Sequence, residues 1–138
     1  GPERHEAEQE ARALGVDKHV HFLGKIDSVA PLLAAADLFL LPTDAESFGL
    51  SALEALASGT PVIGTNVGGL PEVVTHGETG CLFPVGDVNA MAASAVELLR
   101  DDRMWQRMSA AGAADARSRF AMDDIVQRYE DLYRQSVS

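Results

Sequence analysis

An α/β fold, with a parallel sheet carrying helices on both faces, is the architecture this sequence predicts. Short continuous apolar runs, Leu38–Leu41 (LFLL) above all, read as strands buried on both faces. Helical segments with apolar stripes alternate with these runs along the chain. Gly or Pro closes most of the runs, as Gly24 follows Leu23 and Pro42 follows Leu41.

Each element follows from local chemistry. Pro2 in a first helical turn and Gly15 after the last helical residue bracket a helix over residues 2–14. His19–Leu23 (HVHFL) is a β-favouring run and is expected to form the first strand. Asp27 or Ser28 can cap a second helix carrying Val29, Leu32 and Leu33, ending near Ala36. The strand Leu38–Leu41 comes next. Ser47 is expected to cap a helix with Leu50, Leu53, Leu56 and Ala57, which Gly59 ends. Pro61–Gly64 (PVIG) is a further strand, Leu70–Val74 a short helix, and Gly80–Phe83 (GCLF) a fourth strand. Asp87 caps a helix to about Leu99, and two more helices are expected over residues 102–117 and 122–135. Strand–helix alternation calls for right-handed crossovers, and ligands bind such sheets outside the carboxyl ends of the strands. The loops at Gly24–Lys25, Thr43–Phe48 and Thr65–Gly69 lie at those ends.

Composition narrows the function. The chain has 138 residues, 46% hydrophobic and 23% charged, which suits one globular domain. Its net charge of −10 and the lack of a dense Lys/Arg cluster argue against nucleic acid and against an anionic membrane surface. A single cysteine, Cys81, allows no intrachain disulfide, which suits a reducing cytoplasm. No apolar run approaches the ~20 residues that span a bilayer. The opening GPERHEAEQEARALG carries no signal-peptide pattern.

The segment richest in chemistry is Glu46-Ser47-Phe48-Gly49-Leu50-Ser51-Ala52-Leu53-Glu54. It follows a buried strand and opens a helix. Amides at Phe48, Gly49 and Leu50 are helix-start donors without internal acceptors, pointing along the positive end of the dipole. They suit a phosphate or a sugar oxygen, and Gly49 permits close approach. Glu54 lies one turn after Leu50, at the margin of the apolar stripe, with no cation at Leu50 or Ser58 to pair with. Vicinal hydroxyls would satisfy such a carboxylate, and Glu46 in the preceding loop can do the same. Both can equally be ordinary surface carboxylates.

Glu46 and Glu54, with seven residues between them and Phe48-Gly49 after the first, begin a longer pattern. It continues through Gly59-Thr-Pro61-Val-Ile-Gly64, Gly68-Gly69-Leu-Pro71-Glu72 and His76-Gly77-Glu-Thr-Gly80. In this order and spacing it resembles the retaining glycosyltransferases that use nucleotide-diphosphate sugars and have the two-domain B fold. The resemblance implies that residues 1–120 are part of the Rossmann-like, C-terminal, donor-binding domain. It implies that residues 121–138 are a helix packing back on an N-terminal acceptor domain absent from this chain. In the family's strand order 3-2-1-4-5-6, the strands here would be 3 to 6, with strands 1 and 2 missing. Gly1-Pro2 would then be native sequence following strand 2, rather than a tag remnant. Further similarity in Phe22-Leu-Gly-Lys25, Leu40-Leu-Pro42 and Ile63-Gly-Thr65-Asn66 implies UDP-N-acetylglucosamine as donor and a small acceptor such as L-malate.

The resemblance also implies roles. Glu46 would hold hydroxyls of the donor sugar and is the catalytic candidate. Phe48, Gly49 and Leu50 would offer amides to the sugar or diphosphate, Glu54 would hold the ribose diol, and Gly24 and Lys25 would flank the base. No metal and no cofactor are implied. The isolated chain is expected to be inactive; the alternative function is a non-catalytic nucleotide-sugar-binding or interaction module.

Other signals are ambiguous on sequence alone. His19 and His21 would share a strand face, as a metal pair or as exposed residues. Gly68-Gly69 is a tight turn or a ligand contact, His76 shapes a Gly-rich turn, and Cys81, Met104, Trp105 and Met108 suit a core. With strands 1 and 2 missing, His19–Leu23 lacks a neighbour and Leu38–Leu41 exposes an edge. Closure is expected by direct pairing of the two or by a strand-swapped exchange between two copies.

Overall fold

The computed structural model describes residues 2–23, 30–42, 49–119 and 131–132. Helix α1 (Pro2–Ala13) opens the chain and a 3₁₀ turn over Asp17–His19 follows it. Then come α2 (Ala30–Ala35), β1 (Phe39–Leu41), α3 (Leu50–Ala57), β2 (Val62–Thr65), α4 (Leu70–Val73), β3 (Gly80–Phe83), α5 (Val88–Arg100) and α6 (Asp102–Arg119). The three strands form one parallel sheet in the order β1-β2-β3. This is the Rossmann-like α/β architecture that the apolar runs predict.

Successive residues of β2 point to opposite faces. Val62 joins a core with Leu53, Leu56, Leu70, Val73, Val74 and Ala116. Ile63 joins a second core with Cys81, Met91, Ala95, Leu98 and Met108. Thus α3 and α4 cover one face and α5 the other, while α6 supplies Ala116 to the first and Met108 to the second. Cys81 is a small core residue, and Met104 and Trp105 pack at the border of the second cluster. Side chains tie α6 to the sheet: the Trp105 indole donates to Asp37 O at 2.7 Å, and the Ser109 hydroxyl to Gly59 O at 2.6 Å.

The outer edge of β3 is closed by the turn before it. The Asn66 amide donates to Phe83 O at 2.8 Å, so Phe83 faces β2 and its neighbour Leu82 faces outward. There the Leu82 amide donates to His76 Nδ1 at 2.9 Å, and the Gly77 amide to Gly80 O at 2.8 Å. The outer edge of β1 differs. The Phe39 amide donates to Pro61 O, so the backbone groups of Leu38, Leu40 and Pro42 alternate outward. Among the described residues none of them meets a partner strand, and the Leu40 side chain is 53% exposed.

Two expectations are corrected. His19–Leu23 is not a strand: His19 closes the 3₁₀ turn, and residues 20–23 have no regular structure. A β-favouring run needs a neighbour to form a ladder. This one is held by a helix instead: Arg4 of α1 donates to Phe22 O at 3.3 Å and lies 5.6 Å over the Phe22 ring. Direct pairing of this run with β1, the alternative to the favoured exchange between copies, is therefore absent among the described residues. The second correction concerns the start of α3, where Gly49, in the left-handed region at φ 64°, is the cap residue rather than Ser47. The helix expected over 122–135 lies outside the described residues except at Asp131 and Leu132, both helical.

Candidate functional site

The parallel strands end at Leu41, Thr65 and Phe83, and the segment after Thr65 lies against the start of α3. Gly49 turns the chain into the helix, and the Leu53 amide makes the first helical bond to Gly49 O at 2.9 Å. The amides of Leu50, Ser51 and Ala52 therefore precede the helical ladder and form its positive end. A Cβ on Gly49 would sit 3.1 Å from Val73 Cγ2 and 3.3 Å from Gly69 O. Together with the positive φ, this restricts the position to glycine. The loop of residues 66–69 is thus pressed against the start of α3, a contact that sequence spacing did not reveal. Its signal was the Gly68-Gly69 pair, whose Gly68 adopts φ 56°.

Glu54 projects from the same helix. Leu50 and Leu53 beside it are buried, Ala57 is exposed, and Glu54 is half-buried between these environments. Burial raises its carboxyl above the ordinary value of 4.5. No cation counters the shift, and among the described residues no hydrogen-bond donor meets the carboxylate. A partly desolvated acceptor beside a ring of helix-start amides can hold hydroxyls at one end of a ligand while the amides hold its anionic end.

Of the expected site residues, Gly49, Leu50 and Glu54 come together on α3. Gly24, Lys25, Glu46 and Phe48 lie outside the described residues, as does Ser47. His19 and His21 are exposed and share no strand face, because one ends a 3₁₀ turn and the other lies in irregular chain. Among the described residues no three His, Cys, Asp or Glu side chains gather as a metal site, and no helix is long and apolar enough to cross a membrane.

A family model described as "Glycosyl transferases group 1" matches residues 1–101. N-acetyl-alpha-D-glucosaminyl L-malate synthase of Bacillus anthracis is 45% identical over 133 residues, which cover 96% of this chain and 35% of that protein. Among solved structures, sucrose-phosphate synthase from Thermosynechococcus elongatus superposes with a TM-score of 0.81 at 35% identity, over 99% of this chain and 35% of its own. Anabaena HepE in complex with UDP-glucose superposes with a TM-score of 0.79 at 30% identity, over 94% of this chain and 36% of its own. The chain spans about a third of the length of the curated relatives it matches.

Proposed function

Because this chain belongs to the group 1 glycosyl transferase family, we propose that it is the donor-binding part of an enzyme that transfers a sugar from a nucleotide diphosphate to a small acceptor. The observation that carries the reading is Glu54, a half-buried carboxylate without a described partner, one turn from helix-start amides at the carboxyl ends of parallel strands. In this reading Glu54 accepts hydrogen bonds from the ribose diol. The amides of Phe48, Gly49 and Leu50 take the sugar or diphosphate oxygens. Glu46 holds hydroxyls of the donor sugar, and Gly24 and Lys25 flank the base.

The donor nucleotide is UDP, supported by the similarity to HepE, which was solved with UDP-glucose. The similarity to the Bacillus anthracis synthase supports N-acetylglucosamine as the sugar and L-malate as the acceptor. Transfer proceeds with retention: the acceptor attacks from the face the diphosphate leaves. The protein contributes by fixing the two substrates and stabilising the departing charge. The setting is the cytoplasm, which the single buried thiol suits. Residues 1–120 belong to the donor unit, and residues 121–138 serve to join it to the acceptor-binding part of the protein.

Full-length protein incubated with UDP-N-acetylglucosamine and L-malate should yield the glycosylated acid by mass spectrometry. The 138-residue chain alone should not, because it matches only 35% of the length of the synthase it resembles. Turnover by the chain alone at about 1 per second, an ordinary enzymatic rate, would contradict this division of labour.

A further inference from the structure

We propose that His76 is a positioning residue whose imidazole, accepting from the edge of β3, holds the loop of residues 66–69 against the start of α3. The turn that carries it is self-supporting. The Thr75 amide donates to Thr79 Oγ1 at 2.9 Å, and the Glu78 and Thr79 amides both donate to Thr75 O at 3.0 Å. Gly77 takes φ 83°, and its amide closes on Gly80 O. This frame presents the imidazole to the outer edge of β3, where Nδ1 accepts the Leu82 amide at 2.9 Å. A backbone amide can only donate, so Nδ1 carries the lone pair and the ring proton sits on Nε2. The same ring meets Phe83 edge-on, with centroids 5.7 Å apart and planes at 87°.

Phe83 carries the constraint onward. Its carbonyl accepts the Asn66 amide at 2.8 Å, and Asn66 begins the loop whose Gly69 carbonyl abuts Gly49. One imidazole thus grips two successive residues of β3, and the second of these anchors the loop. A side chain with no acceptor at this position loses the grip on Leu82. Of the described charged side chains, Glu78 lies on the turn itself, and Arg107 of α6 shares a cleft with Gly77 and Glu78. β3 brings no charged side chain. The consequence for ligand binding rests on the donor-site reading above, whereas the link from ring to loop does not.

The test uses the 138-residue chain and three forms: wild type, His76→Ala and His76→Asn. Asparagine Oδ1 stands at the same bond separation as histidine Nδ1 and accepts without titrating. Hydrogen exchange at the Leu82 and Asn66 amides reads the link, and calorimetry with UDP reads the site. Loss of one partly exposed hydrogen bond should speed exchange at both amides about three- to tenfold in His76→Ala, with a comparable loss of UDP affinity. His76→Asn should restore both. If His76→Ala fails to fold, wild type and His76→Asn still decide, because the two must exchange alike at both amides. Unchanged Asn66 exchange in His76→Ala, or faster exchange at both amides in His76→Asn than in wild type, would overturn the proposal. A wild-type chain that ignores UDP while exchange follows the expected pattern would remove the donor reading and leave the link standing.

Discussion

β3 and β1 are both short apolar strands at the edges of one parallel sheet, yet their outer edges are finished in different ways. At β3 the preceding turn folds back, so that the Gly77 amide and the His76 ring occupy the outward backbone groups. At β1 the outward row runs Leu38, Leu40, Pro42; Pro42 has no amide to offer, and Leu40 is 53% exposed. The β3 half is packed on both faces by helices and carries the loop that presses on Gly49. In the β1 half, Phe39 and Leu41 pack on the cluster that includes Leu33 of α2 and Leu53 of α3, and residues 20–23 are tethered to α1 by Arg4 rather than paired with a strand among the described residues. Similar sequence thus gives similar strands, while the residues next to each strand decide whether its edge is sealed.

The comparison breaks most visibly at Gly80. A Cβ there would strike the backbone oxygen of Val62 and come within 2.9 Å of Val74 Cγ1. Gly80→Ala should therefore lose about 3 kcal/mol or more on chemical denaturation, since backbone cannot move aside as a side-chain tip does. A pair of leucine truncations sharpens the contrast between packed and open regions. Leu53, 1% exposed, should cost about 2–5 kcal/mol as Leu53→Ala. Leu40→Ala should stay below about 1 kcal/mol, because half of that side chain already meets water. Equal losses would mean that the β1 edge is covered.

A smaller effect is expected from Glu54. Its carboxyl is raised by burial, so the folded chain binds the proton more readily than the unfolded one. The native state therefore gains relative stability below the unfolded value near 4.5 and loses it as pH rises through the elevated folded value. Glu54→Gln should flatten that slope in the ligand-free chain, measured by denaturation from pH 4.5 upward. A steeper slope in the variant would contradict the burial assignment. The weakest expected effect is association through the open edge. Three residues of strand bury little surface, so sedimentation equilibrium should show reversible self-association only at high concentration. A single monomeric species throughout would mean that the β1 edge is inert.

Much of the fold was legible because burial writes itself into short apolar runs. LFLL, PVIG and GCLF mark the three strands within a residue, and Asp87 caps α5 as read, accepting the Ala90 amide at 3.3 Å. HVHFL carries the same kind of signal and fails, because a strand needs a neighbour and no propensity supplies one. At the site, the position of Glu54 at the margin of a buried stripe was readable from helical spacing. The contact of Gly69 with Gly49 and the acceptor role of His76 were not, since both join residues that meet only once the sheet is assembled.

The donor-site account turns on what Glu54 holds. Calorimetric titration of the full-length protein with UDP tests it most directly, comparing wild type with Glu54→Ala and Glu46→Ala. A lost charge-assisted bond of about 1.5–3 kcal/mol corresponds to a roughly ten- to hundredfold weaker UDP affinity in Glu54→Ala. Glu46→Ala should bind UDP nearly as wild type does and lose sugar transfer instead. Unchanged UDP affinity in Glu54→Ala would contradict the assignment of this carboxylate to the ribose, and with it the placement of the nucleotide along α3.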